Sequence, residues 1–154
     1  MRRSILSTAL ALAALAACGR ESRQTHALPP DQAAEVLINR NWLDRWPTGE
    51  RDRLHVYRFT PSMGGGVYQD RTLFAGSFEL FTFQLEGDHI TIQWPHSKRE
   101  DRMVFRVQQV EGPQPFDLRL ELSSPSHGPR TYYGRSAETG SADEAVSPWS
   151  LPAL

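Results

Sequence analysis

Apolar and polar residues alternate with a period of two through most of the chain between positions 41 and 133, and this spacing predicts β-strands. In the clearest run, Leu118, Leu120 and Leu122 alternate with Arg119 and Glu121. Seven or eight strands are predicted, at 41–46, 54–59, 67–68, 74–85, 90–94, 103–107, 118–122 and 131–133. Because the connections are short, the pattern predicts a mainly β chain, an antiparallel meander closed into a barrel or folded into a sandwich.

The longest apolar run, at 74–85, carries two apolar sets that would face opposite sides of a regular strand. The expected inward set changes along the run, from Phe74, Phe78 and Leu80 to Phe81, Phe83 and Leu85. Because one face of a strand cannot bury both sets, we expect a bulge or a sharp bend near Leu80 and Phe81.

A segment before the strands has helical spacing instead. Ala33, Leu37 and Ile38 share one face of a helix. Asp31 precedes them as the expected N-cap. The sequence therefore predicts one short N-terminal helix that packs a single apolar stripe.

The first 17 residues have the features of a secretory signal peptide. Arg2 and Arg3 make its start positive, and the apolar run at 5–17 is shorter than the roughly 20 residues that a spanning helix needs. The run ends Leu-Ala-Ala-Cys at positions 15–18. This ending resembles the lipobox of bacterial lipoproteins, which implies cleavage before Cys18 and lipid attachment to that residue.

The lipobox resemblance also implies where the protein is located in the cell. Acyl chains on Cys18, palmitate among them, would hold the protein to the membrane of the bacterial cell envelope. The residue after Cys18 is not Asp, which in such lipoproteins favours the outer membrane, here with the domain facing the periplasm. We expect a signal peptide at 1–17, a lipidated flexible tether at 18–27, a β-barrel domain at 28–135 and a disordered tail at 136–154.

The composition limits how the fold can be stabilised, how many domains the chain can form and which partners its charge favours. Cys18 is the sole cysteine of the chain, so no disulfide can form within it and core packing must hold the fold. Cleavage before Cys18 would remove 17 of the 154 residues and leave 137, enough for one domain. The same cleavage removes two arginines and changes the formal net charge from −1 to −3. This charge does not favour nucleic acid as a partner.

A short helix, then Trp42, then a meander of about eight strands is similar to the lipocalin-like barrels. In that family a tryptophan of the first strand floors the barrel, and an arginine from the last strand packs across it. The resemblance implies that Trp42 is this tryptophan and that Arg130 or Arg135 is the arginine. It also implies a single eight-stranded antiparallel barrel, while another small β-fold, such as a META-like domain, stays open.

An eight-stranded barrel can be filled by side chains or can hold one small ligand. The side chains expected to point inward are large and apolar: Tyr57, Phe59, Phe78, Phe83, Ile90, Ile92, Trp94, Met103, Phe105, Leu118, Leu120 and Tyr132. Side chains of this size more often fill a small barrel than line a cavity. The candidate ligand-binding residues are Trp42, Tyr57, Phe83, Trp94, Phe105 and Tyr132.

The sequence contains no recognisable catalytic or metal-binding motif. His55, His89, His96 and His127 fall on different strands and loops, which favours surface histidines over metal ligands. The serines lack a Gly-x-Ser-x-Gly motif, and the carboxylates cannot be paired from sequence. The charged run at 98–102 is predicted to be a solvated hairpin tip. We therefore expect no catalytic residue, no metal site and no cofactor.

These observations predict a non-enzymatic envelope lipoprotein with a lipocalin-like binding module for a small apolar or amphipathic ligand. An alternative is a protein–protein adaptor or accessory subunit of an envelope complex, which would use strand edges, loops or the tail. A third is an enzyme whose groups come together only in the folded chain. An enclosed cavity would favour the first, an exposed apolar patch the second, and a cleft of titratable groups with perturbed pKa values the third.

Overall fold

The computed structural model of the protein describes residues 25–138, and β-strands dominate this part of the chain. The elements are β1 (His26–Ala27), α1 (Pro30–Leu37), β2 (Asn41–Leu43), β3 (Leu54–Thr60), a single 3₁₀ turn (Pro61–Met63), β4 (Gly65–Arg71), β5 (Gly76–Glu86), β6 (His89–Trp94), β7 (Arg99–Gln109), β8 (Leu118–Leu122) and β9 (Thr131–Gly134). The predicted signal peptide, Cys18 and most of the predicted tail lie outside the described residues.

Strands β2 to β9 form a closed antiparallel barrel of eight strands in which each strand pairs with its neighbours in sequence. The barrel is closed by the pairing of β9 with β2, where Leu43 lies opposite Tyr133. This confirms the predicted meander barrel with one short helix, an architecture compatible with the lipocalin-like barrels. The two residues of β1, which the sequence places in the tether, pair with the end of β7.

The barrel interior is packed with aromatic rings. Tyr57 lies at its centre, with ring centroids 4.9 Å from Tyr68, 5.2 Å from Tyr132 and 5.8 Å from Phe81. Most side chains that the sequence places inside the barrel are buried there: Tyr57, Phe59, Ile90, Ile92, Trp94, Met103, Phe105, Leu118, Leu120 and Tyr132. Such packing supplies most of the stability of a chain that has no disulfide.

The prediction that Phe74, Phe78 and Leu80 face the core is wrong. Phe78 and Leu80 are 72% and 62% exposed, and Phe74 is also exposed, whereas Phe81 is buried. The strand changes partner at this point: residues up to Phe81 pair with β4, and residues from Thr82 pair with β6. The register runs without a skipped residue within each ladder, so no bulge interrupts the alternation there and the first apolar set stays outside the core.

Helix α1 closes one end of the barrel. Pro29 precedes it in an extended conformation and no side chain caps it, so Asp31 lies in the first turn and is not the N-cap. A carboxylate there still interacts favourably with the helix dipole. The helix buries Ala33 and Leu37, and the indole Nε1 of Trp42 donates a hydrogen bond to the Leu37 carbonyl at 2.9 Å.

The arginine beside Trp42 is Arg40, and not Arg130 or Arg135 as the resemblance implied. The Cζ atom of Arg40 lies 5.9 Å from the Trp42 ring centroid. Arg40 also donates to the backbone carbonyl of Arg135 at 2.8 Å. The residue just after the last strand therefore contributes a carbonyl group to this corner. Burial lowers the pKa of the Arg40 guanidinium.

A second, smaller core lies outside the barrel wall. Leu43, Leu54 and Val56 alternate with the inward residues and pack under Phe116, with Trp46 and Tyr133 at its edge. The ring of Trp46 meets that of Phe116 edge-on at 5.8 Å. The sequence predicted a strand at 41–46, but β2 ends at Leu43, so Trp46 lies in the long β2–β3 connection.

The two ends of the barrel differ. At the α1 end, Ile38 bridges to Phe59, and β1 enters beside Gln109. At the other end, the β4–β5 turn, the β6–β7 turn and the β8–β9 loop at 123–130 surround an open mouth. Within residues 25–138, no helix has the length and apolar character to span a membrane.

Candidate functional site

An open cleft with a volume of about 810 Å³ lies at the mouth of the barrel, opposite helix α1. Strand β5, the β6–β7 turn and the β8–β9 loop form its walls. Its lining combines polar, titratable and apolar side chains: His55, Tyr68, Asp70, Ser77, Phe78, Glu79, Leu80, Pro95, His96, Ser126, His127 and Gly128.

The polar lining follows from strand alternation. His55 continues the inward set of Tyr57 on β3, and Asp70 continues that of Tyr68 on β4. Glu79 continues the inward set of Phe81 on β5. Each polar residue thus lies one step beyond the aromatic core, at the mouth, where the barrel gives way to solvent.

None of the six ligand-binding residues predicted from the sequence lines this cleft, as far as the structure describes its lining. Trp42 is at the helix end of the barrel. Tyr57, Trp94, Phe105 and Tyr132 are buried in the packed interior, and Phe83 is half-buried against it. The cleft lies above this aromatic core and does not enter it.

A half-buried carboxylate, that of Asp101, joins the β8–β9 loop to the barrel. Asp101 lies opposite Ile92 and shares its inward face. Its Oδ2 atom accepts hydrogen bonds from Nε1 of Trp94 at 2.9 Å, from the backbone N–H of Ser126 at 3.2 Å, and from the Ser126 hydroxyl. The prediction that the whole run at 98–102 is a solvated tip is therefore wrong at Asp101.

His127 follows in the same network. Its Nδ1 atom lies 2.9 Å from the Ser126 hydroxyl, and its Nε2 atom lies 3.0 Å from Oε2 of Glu79. The ring packs on Trp94 with centroids 4.1 Å apart. The carbonyl of His127 accepts a hydrogen bond from the Tyr57 hydroxyl at 3.1 Å. These contacts hold the β8–β9 loop across the mouth.

A second polar group stands on the opposite wall. Nδ1 of His55 lies 2.7 Å from the Tyr68 hydroxyl and 3.9 Å from Oδ1 of Asp70. Nε of Arg53 donates to Asp70 at 2.6 Å. This hydrogen bond lowers the pKa of the Asp70 carboxyl, and burial raises the pKa of Tyr68 to about 12. At neutral pH Asp70 is therefore ionised and Tyr68 is neutral.

Gly128 lets the loop approach the core. Its φ of +68° suits glycine, and a Cβ at this position would lie 2.3 Å from the Tyr132 hydroxyl and 3.1 Å from the Tyr68 hydroxyl. The Tyr132 hydroxyl is buried and has no hydrogen-bond partner among the described residues. Burial also raises its pKa. The loop thus lies directly over a tyrosine hydroxyl to which no residue of 25–138 hydrogen-bonds.

The series Ser126, His127 and Glu79 contains the residue types of a hydrolase triad. It differs from one because the Ser126 hydroxyl donates its hydrogen bond to the Asp101 carboxylate, which thereby competes with His127 as the acceptor. Among residues 25–138, no group of three or more His, Cys, Asp or Glu side chains is arranged to hold a metal ion. The arrangement is suited to binding polar groups.

Sequence reasoning missed the site because it treated these polar residues one at a time. The signal was their position: His55, Asp70, Glu79 and Asp101 each extend an inward apolar series by one step of two. The β8–β9 loop gave no comparable signal, because contacts between loops and strands far apart in sequence decide where it lies. Comparisons with protein-family models, with curated proteins and with solved structures find no match for this chain.

Proposed function

We propose that this protein is an envelope lipoprotein, anchored through Cys18 to the outer membrane and facing the periplasm, whose barrel binds a small amphipathic ligand without chemical reaction. The observation that carries the binding role is the cleft at the mouth. Its volume of about 810 Å³ suits one small molecule. Its lining offers hydrogen-bonding groups beside the exposed side chains of Phe78 and Leu80.

Packing in the interior defines where the ligand would lie. Because the aromatic rings below the mouth are almost fully buried, the ligand occupies the cleft and not the barrel axis. A polar group would lie among His55, Glu79 and His127. An apolar part would lie against Phe78 and Leu80, which are otherwise exposed to water.

The position of the cleft fits an anchored protein. His26 pairs with Gln109 at the α1 end, so the chain that leads back to Cys18 leaves the barrel at that end. Strand β9 also ends there, at Gly134. The cleft opens at the other end, which leaves it accessible while the N-terminus is held at a membrane.

The binding role is tested with the full chain, isolated from a bacterial envelope and analysed for co-purifying small molecules by mass spectrometry. We expect a bound molecule that is released on denaturation. A Ser77→Trp variant, which fills the cleft, should lose this molecule. The control Gln84→Trp places the same ring at an exposed position of the same strand, farther from the cleft, and should keep it. A molecule retained equally by both variants would place binding elsewhere.

The anchor is tested separately. Changing Cys18 to Ala should release the protein from the membrane fraction or stop processing of the precursor, because no other cysteine can carry the lipid. Normal processing with full membrane retention would contradict the lipoprotein assignment.

The alternative role, as an adaptor for an envelope protein, is favoured by the exposed apolar residues Phe74, Phe78 and Leu80. All three belong to β5 or the turn before it, and residues 76–81 of β5 pair with β4 on one side. In this case Phe78→Lys should abolish in-cell crosslinking to a partner while leaving the barrel folded. If the same variant instead lost a small ligand, the first role would be supported.

A further inference from the structure

The carboxylate of Glu79 is a half-buried polar group of the cleft. Its side chain is about one-fifth exposed, and it reaches from β5 towards the loop across the mouth. Oε2 meets Nε2 of His127 at 3.0 Å, and Oε1 accepts a long hydrogen bond of 3.4 Å from Ser97. Two carboxylate oxygens can accept about four hydrogen bonds, so Glu79 has capacity left for a ligand.

A ring nitrogen is the group that Glu79 already meets. The Ser126 hydroxyl donates to the carboxylate of Asp101, and its oxygen lies 2.9 Å from Nδ1 of His127. On the other side of the ring, Nε2 lies 3.0 Å from Oε2 of Glu79, so this carboxylate is placed to accept a hydrogen bond from an N–H donor.

Aromatic rings surround the same position. The His127 ring lies 4.1 Å from the Trp94 ring and 5.3 Å from the Tyr68 ring, measured between centroids. A cation that displaced His127 from Glu79 would come to lie beside these two rings, and aromatic faces attract cations.

The charged residues of the cleft also favour a cationic ligand. Its described lining includes the carboxylates Asp70 and Glu79 but no Lys or Arg. Arg53 balances Asp70 from outside the lining, and Asp101 adds a second carboxylate behind Ser126. An anionic ligand would meet the negative potential of Glu79 and Asp101, which no Lys or Arg of the described lining offsets.

We infer that the ligand is an amphipathic cation, whose ammonium or guanidinium group binds Glu79 and whose hydrocarbon part lies on Phe78 and Leu80. This inference rests on the proposed binding function and names the ligand class. The ligand cation would take the place of His127 on Glu79 or share the carboxylate with it, and would use the acceptor capacity that Ser97 fills only weakly.

The test uses three probes of equal length, hexylammonium, hexanol and hexanoate, titrated into the full chain held in a non-ionic detergent. The readout is the NMR signal of the Trp94 indole N–H, which lies beneath His127. We expect hexylammonium to bind about tenfold more tightly than hexanol, the scale of one charge-assisted hydrogen bond, and hexanoate to bind most weakly.

Two variants locate the effect. Glu79→Gln should reduce the affinity for hexylammonium to that for hexanol, whereas Glu86→Gln, which removes an exposed carboxylate from the same strand, should leave the preference unchanged. Equal binding of the three probes, or a preference for hexanoate, would overturn the cation inference and leave the binding function standing. Failure of all three probes to shift the signal would count against both. The probe comparison on the unchanged protein decides the inference even if Glu79→Gln does not fold.

Discussion

Oδ2 of Asp101 accepts a hydrogen bond from the indole Nε1 of Trp94 at 2.9 Å, and the same oxygen receives the backbone N–H and the hydroxyl of Ser126. One inward-pointing carboxylate therefore connects the end of β6, the start of β7 and the β8–β9 loop. The position of the loop over the mouth depends on this oxygen.

Replacing Asp101 by Asn should lower the free energy of unfolding by about 1–3 kcal/mol, because three donors share one carboxylate oxygen in a partly buried place and an amide oxygen is a weaker acceptor. Urea denaturation followed by tryptophan fluorescence measures the change. The control is Glu100→Gln at the neighbouring exposed position, whose contact with Gln93 is a single exposed hydrogen bond. Equal unfolding midpoints for the two variants would show that Asp101 does not hold the loop.

The two buried tyrosine hydroxyls should respond differently to removal. Tyr57→Phe removes the donor to the His127 carbonyl and should cost about 0.5–1.5 kcal/mol. Tyr132→Phe removes a hydroxyl that has no partner among the described residues, so stability should stay unchanged or rise. The same atom is deleted in both variants, and thermal unfolding compares them directly. A clear loss of stability in Tyr132→Phe would reveal a partner for that hydroxyl.

Gly128 and Gly87 form a matched pair for a second test. Both have positive φ, but a Cβ at Gly87 meets nothing within 4 Å, whereas one at Gly128 would overlap the Tyr132 hydroxyl. Gly87→Ala should cost about 1 kcal/mol for the backbone conformation alone. Gly128→Ala should cost about 2–4 kcal/mol, because overpacking adds to that term.

Removing the Tyr132 hydroxyl checks this explanation. In the double variant Gly128→Ala with Tyr132→Phe, part of the lost stability should return, since the nearest overlapping atom is gone. If the double variant is no more stable than Gly128→Ala, the overlap is not the cause of the loss.

Alkaline pH should weaken the fold through the mouth. Burial raises the pKa of Tyr68 to about 12, above the value of about 10 in an unfolded chain. A group whose folded pKa is raised stabilises the fold fully below the unfolded value, and this contribution is lost as the pH rises through the folded value. We therefore expect the free energy of unfolding to fall between pH 10 and 12, as followed by denaturation at each pH. The fall should be smaller in Tyr68→Phe; an identical pH dependence would show that Tyr68 does not contribute.

How much the sequence predicts depends on whether a feature is local. The alternation at Leu118, Leu120 and Leu122 correctly predicts a half-buried strand, because the inward and outward sides of a strand repeat every two residues. The turn between β5 and β6 is equally local, and Gly87 adopts the positive φ that it requires. Such features needed no knowledge of distant residues.

Residues 74–80 show where this reasoning fails. The apolar character of Phe74, Phe78 and Leu80 suggested burial, but the side that a strand presents to the core depends on its partners. Pairing of Phe81 with Gly66 sets the inward side of β5, and the ring of Phe81 occupies the space that a Cβ of Gly66 would need. The three apolar residues are left outside, a result that composition alone could not predict.

Local motifs, residue counts and periodicity are sufficient to predict a lipid attachment site at Cys18, a chain without an internal disulfide, and a single meander of about eight strands with one short helix. The identity of the arginine beside Trp42, the set of apolar residues that face solvent, and the meeting of Asp101, Glu79 and His127 at one mouth emerge only in the folded chain. Each of these depends on contacts between residues far apart in the chain, and barrel closure brings such residues together without any marker in the local sequence.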